Sequence, residues 1–454
     1  MMEPVAQGKI FMVSLGCPKN RVDTEHMMGL LQERGFSMVS RPAEADTAVV
    51  NTCGFIRSAV EEAVDTILEL VEEKRRGLLK RLIVAGCLVQ RYGYKLAREI
   101  PEVDGWVGTG LVERLPDLVC GDRGGSDGRS FSVPFYIERP RRVPDHTVPR
   151  VPSTPFFTTY LRIAEGCSHR CSYCLIPGLR GPFRSRTLDS LLEEARRMAA
   201  RGVVEVNLVA QDTTRYGKDL GDGASLEGLL EELARVREIK WIRLLYAHPE
   251  GVTERLLELL SSLESLCPYL DLPLQHVNPR ILELMNRRPV LETPAALVER
   301  IRSRASRPIA LRTTLMVGFP GETEARFEEL CRFVKWARFE HLGVFAFSPE
   351  AGTRAARYEG RVTAQEAERR RNHILRLQAE ILEERNRRML GLTVPVLVEG
   401  PCPESDLLLQ GRTREMAPEV DGRVLINKGT GVAGRLMDVR ITQTHPYDLV
   451  GEIV

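Results

Sequence analysis

Three thiols are packed into the stretch AEGCSHRCSYCLIPGLRG, at Cys167, Cys171 and Cys174. A set this dense can hold three corners of a 4Fe–4S cube and leave the fourth iron without a protein ligand. A cluster that only relays electrons takes four cysteines. An iron with an open position binds something else, so the spacing points to chemistry. Zinc is the alternative, with His169 as fourth ligand. Zinc sites, however, pair two short knuckles across a longer loop, whereas here every ligand comes from one run.

A second set is dispersed. Cys17, Cys53 and Cys87 lie 36 and 34 residues apart, and each follows an apolar run directly or almost directly: IFMVSL (10–15), TAVVNT (47–52) and RLIVAG (81–86). A lone cysteine beside a strand is usually a small buried hydrophobe. Three in one topological position are different. In an open parallel sheet, ligands bind beyond the carboxyl ends of the strands, where these thiols would converge on a second three-ligand site.

The elements that must carry these groups form three blocks. Over 8–120 the apolar runs alternate with helical patterns near 23–34 and 57–76, which predicts a Rossmann-like parallel sheet with helices on its faces. Residues 121–155 contain GDRGGSDGRS and ERPRRVPDHTVPRVPSTP and read as a linker, partly ordered. Over 156–391 six strands are expected at 159–166, 204–211, 241–247, 269–275, 309–318 and 341–348. Helices lie between them, for example at 187–201, 225–237 and 322–337. This predicts an open (β/α)6 barrel whose active site lies on the loops after the strands, and the Cys167 loop follows the first strand. A charged helix with an apolar stripe trails it over 362–391. Over 392–454 short alternating runs between glycine turns predict a small antiparallel β-barrel. The fold class is therefore α/β and multidomain.

At 454 residues the chain is too long for one ordinary core. It is 43% hydrophobic and 28% charged, an ordinary soluble composition, and its net charge of +2 makes no global case for nucleic acid or membrane. Ten cysteines in this length do not make a disulfide scaffold. The N-terminus lacks a secretion signal, and no run approaches the roughly 18 apolar residues of a membrane span. A reducing cytoplasm is expected.

Cys-x3-Cys-x2-Cys resembles the signature of radical S-adenosylmethionine (radical SAM) enzymes. The three blocks in this order resemble the methylthiotransferases over nearly the whole chain. The resemblance implies two 4Fe–4S clusters, one on Cys167, Cys171 and Cys174 and an auxiliary one on Cys17, Cys53 and Cys87. It implies S-adenosylmethionine as cofactor, cleaved by one electron to a 5′-deoxyadenosyl radical, with the electron supplied by a reductant protein. It also implies that the last block is a TRAM domain. SLGCPKNRVDTE (14–25) looks like the branch that modifies an aspartate on the twelfth protein of the small ribosomal subunit, and so does GRTREMAPEVDG (411–422). The branch acting on transfer-RNA adenosine, the alternative, shows Gln-Met-Asn after the first cysteine. Thr24, where Ser is common, and Met416, at an often polar position, depart from the pattern.

Residues 392–454 hold six Arg or Lys and nine Asp or Glu, a balance of −3. A module gripping RNA should be basic, whereas an acidic one suits a basic ribosomal protein. Nucleic acid is therefore expected only indirectly, against a further alternative of a non-catalytic metal- and RNA-binding protein. The resemblance suggests Tyr173 beside the adenine. Gln211 and Asp212, ending the second barrel strand, are placed toward the methionine amine or the substrate. Gly318, Gly321 and Glu322 after the fifth strand are placed at the adenosyl group. Arg180 and Arg186 are candidates to neutralise cluster or carboxylate charge, and His169 and His276 read as supporting groups. Cys120, Cys267, Cys331 and Cys402 read as structural.

Overall fold

A computed structural model describes residues 8–121, 133–221, 223–287 and 292–454. All of GDRGGSDGRS but its first residue lies outside the described residues. The chain forms two compact units. One comprises 1–153 with Ala164–Arg170 and Cys174–Arg186. The other comprises Thr154–Ile163, Cys171–Tyr173 and Thr187–Val454.

The first unit is built on six parallel strands: β1 (Gly8–Ser14), β2 (Phe36–Val39), β3 (Thr47–Thr52), β4 (Arg81–Gly86), β5 (Gly105–Val107) and β6 (Phe135–Tyr136). Their order is β2-β1-β3-β4-β5-β6. Because side chains alternate along a strand, Ala48 and Val50 of β3 with Leu82 and Val84 of β4 enter one core, and Val49, Ile83 and Ala85 enter the other. Both faces of the sheet are thus covered. Helix Arg57–Arg75 supplies Ala63, Ile67 and Leu70 to the first core, and helix Pro18–Glu33 supplies Met27 and Leu31 to the second. The chain turns one way from β1 to β2 and the other way to β3, so the sheet's switch point lies between β1 and β3. The same unit holds a two-residue ribbon, β8 (Ala164–Glu165) with β9 (Arg184–Ser185).

The expected linker is not all linker. Its Phe135 and Tyr136 pair with β5 as the edge strand, and Arg150 and Ser153 both bind the buried carboxylate of Glu25. Two aromatic residues suffice to finish a sheet edge, and a run that short carries no periodicity.

In the second unit β7 (Thr158–Arg162), β10 (Glu205–Val209), β11 (Trp241–Leu244), β12 (Leu266–Asp271), β13 (Ala310–Val317) and β14 (His341–Ala346) form a parallel sheet in the order β14-β13-β12-β11-β10-β7. Helix Ala364–Arg387 starts where the Thr363 hydroxyl caps Glu366 N–H and buries Ile374, Leu377 and Ile381. Five strands, β15 (Thr393–Cys402), β16 (Ser405–Arg412), β17 (Val424–Lys428), β18 (Leu436–Thr444) and β19 (Leu449–Ile453), then close a barrel in the order β15-β16-β17-β19-β18. Met416 lies in this barrel's core with Val396 and Val439, so an apolar side chain fits there.

The segment from Arg412 to Asp421 grips the amino-terminal ends of the parallel strands. Arg412 reaches Glu205, the first residue of β10, at 2.6 Å. Asp421 accepts from Tyr269 of β12 at 2.7 Å and lies 3.2 Å from Arg312 of β13. The amino-terminal end of the sheet is therefore the attachment point of the small barrel.

Candidate active site

In the first unit Cys17 is the N-cap of helix Pro18–Glu33, Cys53 follows β3, and Cys87 opens the helix after β4. Because β1, β3 and β4 are neighbours in the sheet, the three thiols stand at adjacent strand ends. Gly16 permits this approach. Its φ is +92°, and a Cβ there would sit 2.7 Å from the Cβ of Cys53 and 3.2 Å from its Sγ, too close for any side chain. Cys17 and Cys53 flank the switch point, with Cys87 one strand further on.

Burial pushes the Cys87 thiol up to about 12 and raises that of Cys53. Such thiols are poor free nucleophiles. Three soft sulfur donors, one buried and two partly exposed, do fit metal ligation, which displaces the protons.

The helix that Cys17 begins is buried on an unexpected face: Asn20, Asp23, Thr24 and Glu25 are each at most 5% exposed. Asn20 Nδ2 donates to Leu15 O at 2.7 Å and Thr52 O at 3.1 Å, tying together the ends of β1 and β3. Thr24 bonds Ser14 and Asn51. The SLGCPKNRVDTE motif is thus the internal scaffold of the cysteine loops. Its hydroxyl at position 24 needs only one donor and one acceptor, which Thr supplies as well as Ser.

Of the clustered cysteines, Cys167 is buried and its N–H donates to Gly181 O within the first unit. Cys174 belongs to the same unit, whereas Cys171, Ser172 and Tyr173 belong to the second. There Ser172 is stitched to its surroundings. Its N–H donates to Met285 O at 2.9 Å, its hydroxyl to Leu284 O at 2.7 Å, and its carbonyl accepts from Ala355 N–H at 2.9 Å. Tyr173 meets Phe319 edge to face at 6.4 Å between ring centres. Tyr173 therefore packs on the Gly318–Glu322 turn.

That turn is held by Glu322, whose carboxylate is fully enclosed. It accepts from Gly318 N–H at 2.5 Å, from Arg370 at 3.0 Å and from His276 Nε2 at 3.1 Å. His276 Nδ1 accepts from Asn278 N–H, so Nε2 carries the proton. Gly318 has φ +73°, and a Cβ there would lie 2.4 Å from that of Ala367, so its close neighbour is the trailing helix. Gly321 also has positive φ. Asp212 is buried and caps the turn after β10, accepting from Thr214 N–H and Oγ1. Gln211 beside it is partly exposed.

Sequence reasoning missed Arg287. Its Nη1 lies 3.8 Å from Cys171 Sγ and its Nη2 donates to Pro273 O at 2.8 Å. Burial works against its charge, but Tyr173, Cys171 and Asp212 hold its pKa above the ordinary arginine value. Only its distance in sequence, 116 residues from Cys171, hid it. Arg180 and Arg186 are both buried, 3% and 4% exposed.

Comparison with known proteins follows the same three blocks. Residues 9–108 match UPF0004, described as an uncharacterized protein family; 161–334 match the Radical SAM superfamily; and 390–454 match the TRAM domain. The chain is 47% identical to the ribosomal protein uS12 methylthiotransferase RimO of Syntrophotalea carbinolica, over 100% of this chain and 98% of that one. It is 46% identical to the protein of the same name from Pelobacter propionicus, over 100% and 99%. Among solved structures, the radical S-adenosylmethionine methyltransferase TsrM from Kitasatospora setae, with cobalamin and a [4Fe-4S] cluster bound, superposes with a TM-score of 0.54. It is 18% identical and covers 75% of each chain, a likeness of fold.

Proposed function

The chain belongs to the ribosomal protein uS12 methylthiotransferases, a family of radical SAM transferases that use S-adenosylmethionine and [4Fe-4S] clusters, and we propose that it adds a methylthio group to the β-carbon of an aspartate in uS12. In this reading Cys167, Cys171 and Cys174 hold one cluster, Cys17, Cys53 and Cys87 hold a second, and two molecules of S-adenosylmethionine are consumed. When bound, these groups supply a radical able to break an aliphatic C–H bond, together with sulfur and a methyl group, none of which acid–base side chains provide.

The chain's own residues bind and orient. Arg287 places a fixed positive charge at Cys171. Tyr173 and the Gly318–Gly321 backbone line the adenosyl side, with Glu322 acting through the turn it clamps. Gln211 and Asp212 face the methionine or the substrate. A protein reductant supplies the electron, and the reducing cytoplasm is the compartment such clusters need. Among the described residues, no helix is long and apolar enough to cross a membrane.

One observation favours a protein substrate over transfer RNA. Five of the six cations of the small barrel already have partners. Arg412 binds Glu205 and Glu399, Arg414 donates to Leu266 O, Arg423 pairs with Glu404, and Arg440 and Lys428 pair with Glu452. An acidic module with most of its cations paired to its own carboxylates or carbonyls is poorly equipped to hold phosphate and well suited to a basic protein.

The observation that carries the proposal is the gathering of Cys17, Cys53 and Cys87 at three adjacent strand ends of a chain alike from end to end to uS12 methylthiotransferases. Mass spectrometry of small-subunit proteins from cells with and without the gene tests it. A methylthio mass gain on one uS12 aspartate, present only with the gene, is expected. An unmodified aspartate together with gene-dependent methylthio-adenosine in transfer RNA would overturn it.

A further inference from the structure

Arg180 stands six residues after Cys174 and is buried in the unit that carries Cys17, Cys53 and Cys87. Both terminal nitrogens of its guanidinium are engaged. Nη1 donates to Asp23 Oδ2 at 2.5 Å and lies 3.6 Å from Glu165 Oε2, and Nη2 donates to Asn20 Oδ1 at 2.6 Å. Asn20 is the side chain that also ties Leu15 O to Thr52 O, the backbone just before two of the three cysteines. One amide therefore fixes both strand ends and the arginine.

A cluster on three thiolates is an anion, and here it would sit in a partly buried place. Buried charge is costly unless a counter-charge is held near it. Groups beyond the ligands also set a cluster's potential through charge and hydrogen bonding. Resting on the reading that Cys17, Cys53 and Cys87 hold a cluster, we infer that Arg180 is its positioning residue. Asn20 and Asp23 hold the guanidinium so that its charge compensates the cluster and raises its midpoint potential. Through Asn20, which also binds Thr52 O, the residue before Cys53, the guanidinium is fixed beside the cysteine loops, and the Asp23 carboxylate brings the opposite charge to the same place. Asp23 thus tempers the charge that it positions.

The opposed signs make the test. In the full-length chain carrying Cys167→Ala, Cys171→Ala and Cys174→Ala, only the auxiliary site is left to load, and its potential is read by anaerobic titration followed by electron paramagnetic resonance. Arg180→Gln should shift the midpoint to lower potential, Asp23→Asn to higher, and Arg180→Lys should leave it near the background value. Arg180→Gln and Asp23→Asn both loading iron at an unchanged potential, or shifting in the same direction, would overturn the inference. Should Arg180→Gln fail to fold, Asp23→Asn decides alone: an upward shift supports the inference and an unchanged potential overturns it. A background chain that takes up no iron overturns the cluster reading itself, and this inference with it.

Discussion

The carboxylate of Glu205 lies 2.6 Å from the guanidinium of Arg412, 207 residues later in the chain, with both side chains almost completely buried. Arg243 completes the group at 3.1 Å, and Thr158 Oγ1 donates to the same carboxylate at 2.8 Å. Glu205 begins β10 and Arg412 ends β16, so this cluster joins the parallel sheet to the small barrel. Removing one partner of a buried pair costs about 3–5 kcal/mol when the other is left uncompensated, and here Arg243 keeps part of the compensation, so the lower end of that range applies. Arg412→Ala should destabilise by about that amount, measured by urea unfolding, and should free the 392–454 segment to limited proteolysis before the rest of its unit. An unchanged proteolytic pattern would show that the joint rests on other contacts.

The same group predicts an acid transition. Burial alone would raise the Glu205 pKa, but Arg412 and Arg243 outweigh it and bring the group to about 2, from an ordinary 4.5. A carboxylate depressed in the folded state contributes stability that is fully present above pH ~4.5 and is lost as pH falls toward ~2, about 3 kcal/mol in all. His341, at 3.3 Å from Asp421, adds a second dependence on pH. Burial lowers its pKa against the pull of Asp421, so its contribution is present above pH 6.5 and is lost as pH falls below that value. Unfolding midpoints measured between pH 7 and pH 3 should fall in both windows, and Glu205→Gln should flatten the lower one.

The elements and buried polar groups of this chain show only partly in its sequence. β3 and β4 are where the apolar runs 47–52 and 81–86 place them, because every residue of a doubly covered strand points into one core or the other. The helix after Cys17 was expected from 23 and starts at Pro18. Its first turns are polar, and hydropathy reads such residues as surface, yet Lys19, Asn20 and Asp23 are buried. A buried polar residue is stable when its partners satisfy it, and those partners, Thr52 and Arg180 among them, come from distant parts of the chain. Arg287 was hidden for the same reason. The cysteines were legible because their spacing is itself the chemistry.

Glu322 gives a prediction that separates direct contact from scaffolding. Its carboxylate serves Gly318, Arg370 and His276 at once. Glu322→Ala strips all three of an acceptor and should cost about 3 kcal/mol or more, whereas Glu322→Gln keeps one acceptor oxygen and should cost less. If the side chain acts through the turn, affinity for S-adenosylmethionine measured by calorimetry on the loaded protein should fall in proportion to the stability lost. An affinity that collapses in Glu322→Gln while stability is kept would assign the carboxylate a direct contact instead.

Iron content tests the division of the cysteines into two sets. Two cubes require about eight iron and eight sulfide per chain after anaerobic reconstitution. Cys87→Ala and Cys171→Ala should each lower this to about four and abolish methylthio transfer, because each removes one ligand of a different set. Cys267→Ala and Cys402→Ala should retain about eight, since these buried thiols belong to neither set. Alkylation gives an independent check on the apo chain. The exposed Cys120 should react with iodoacetamide first and the buried Cys87 last. After reconstitution Cys17, Cys53, Cys87, Cys167, Cys171 and Cys174 should be protected together while Cys120 stays reactive. Protection confined to the 167–174 cluster would leave the chain with one cube and no second site from which to present sulfur.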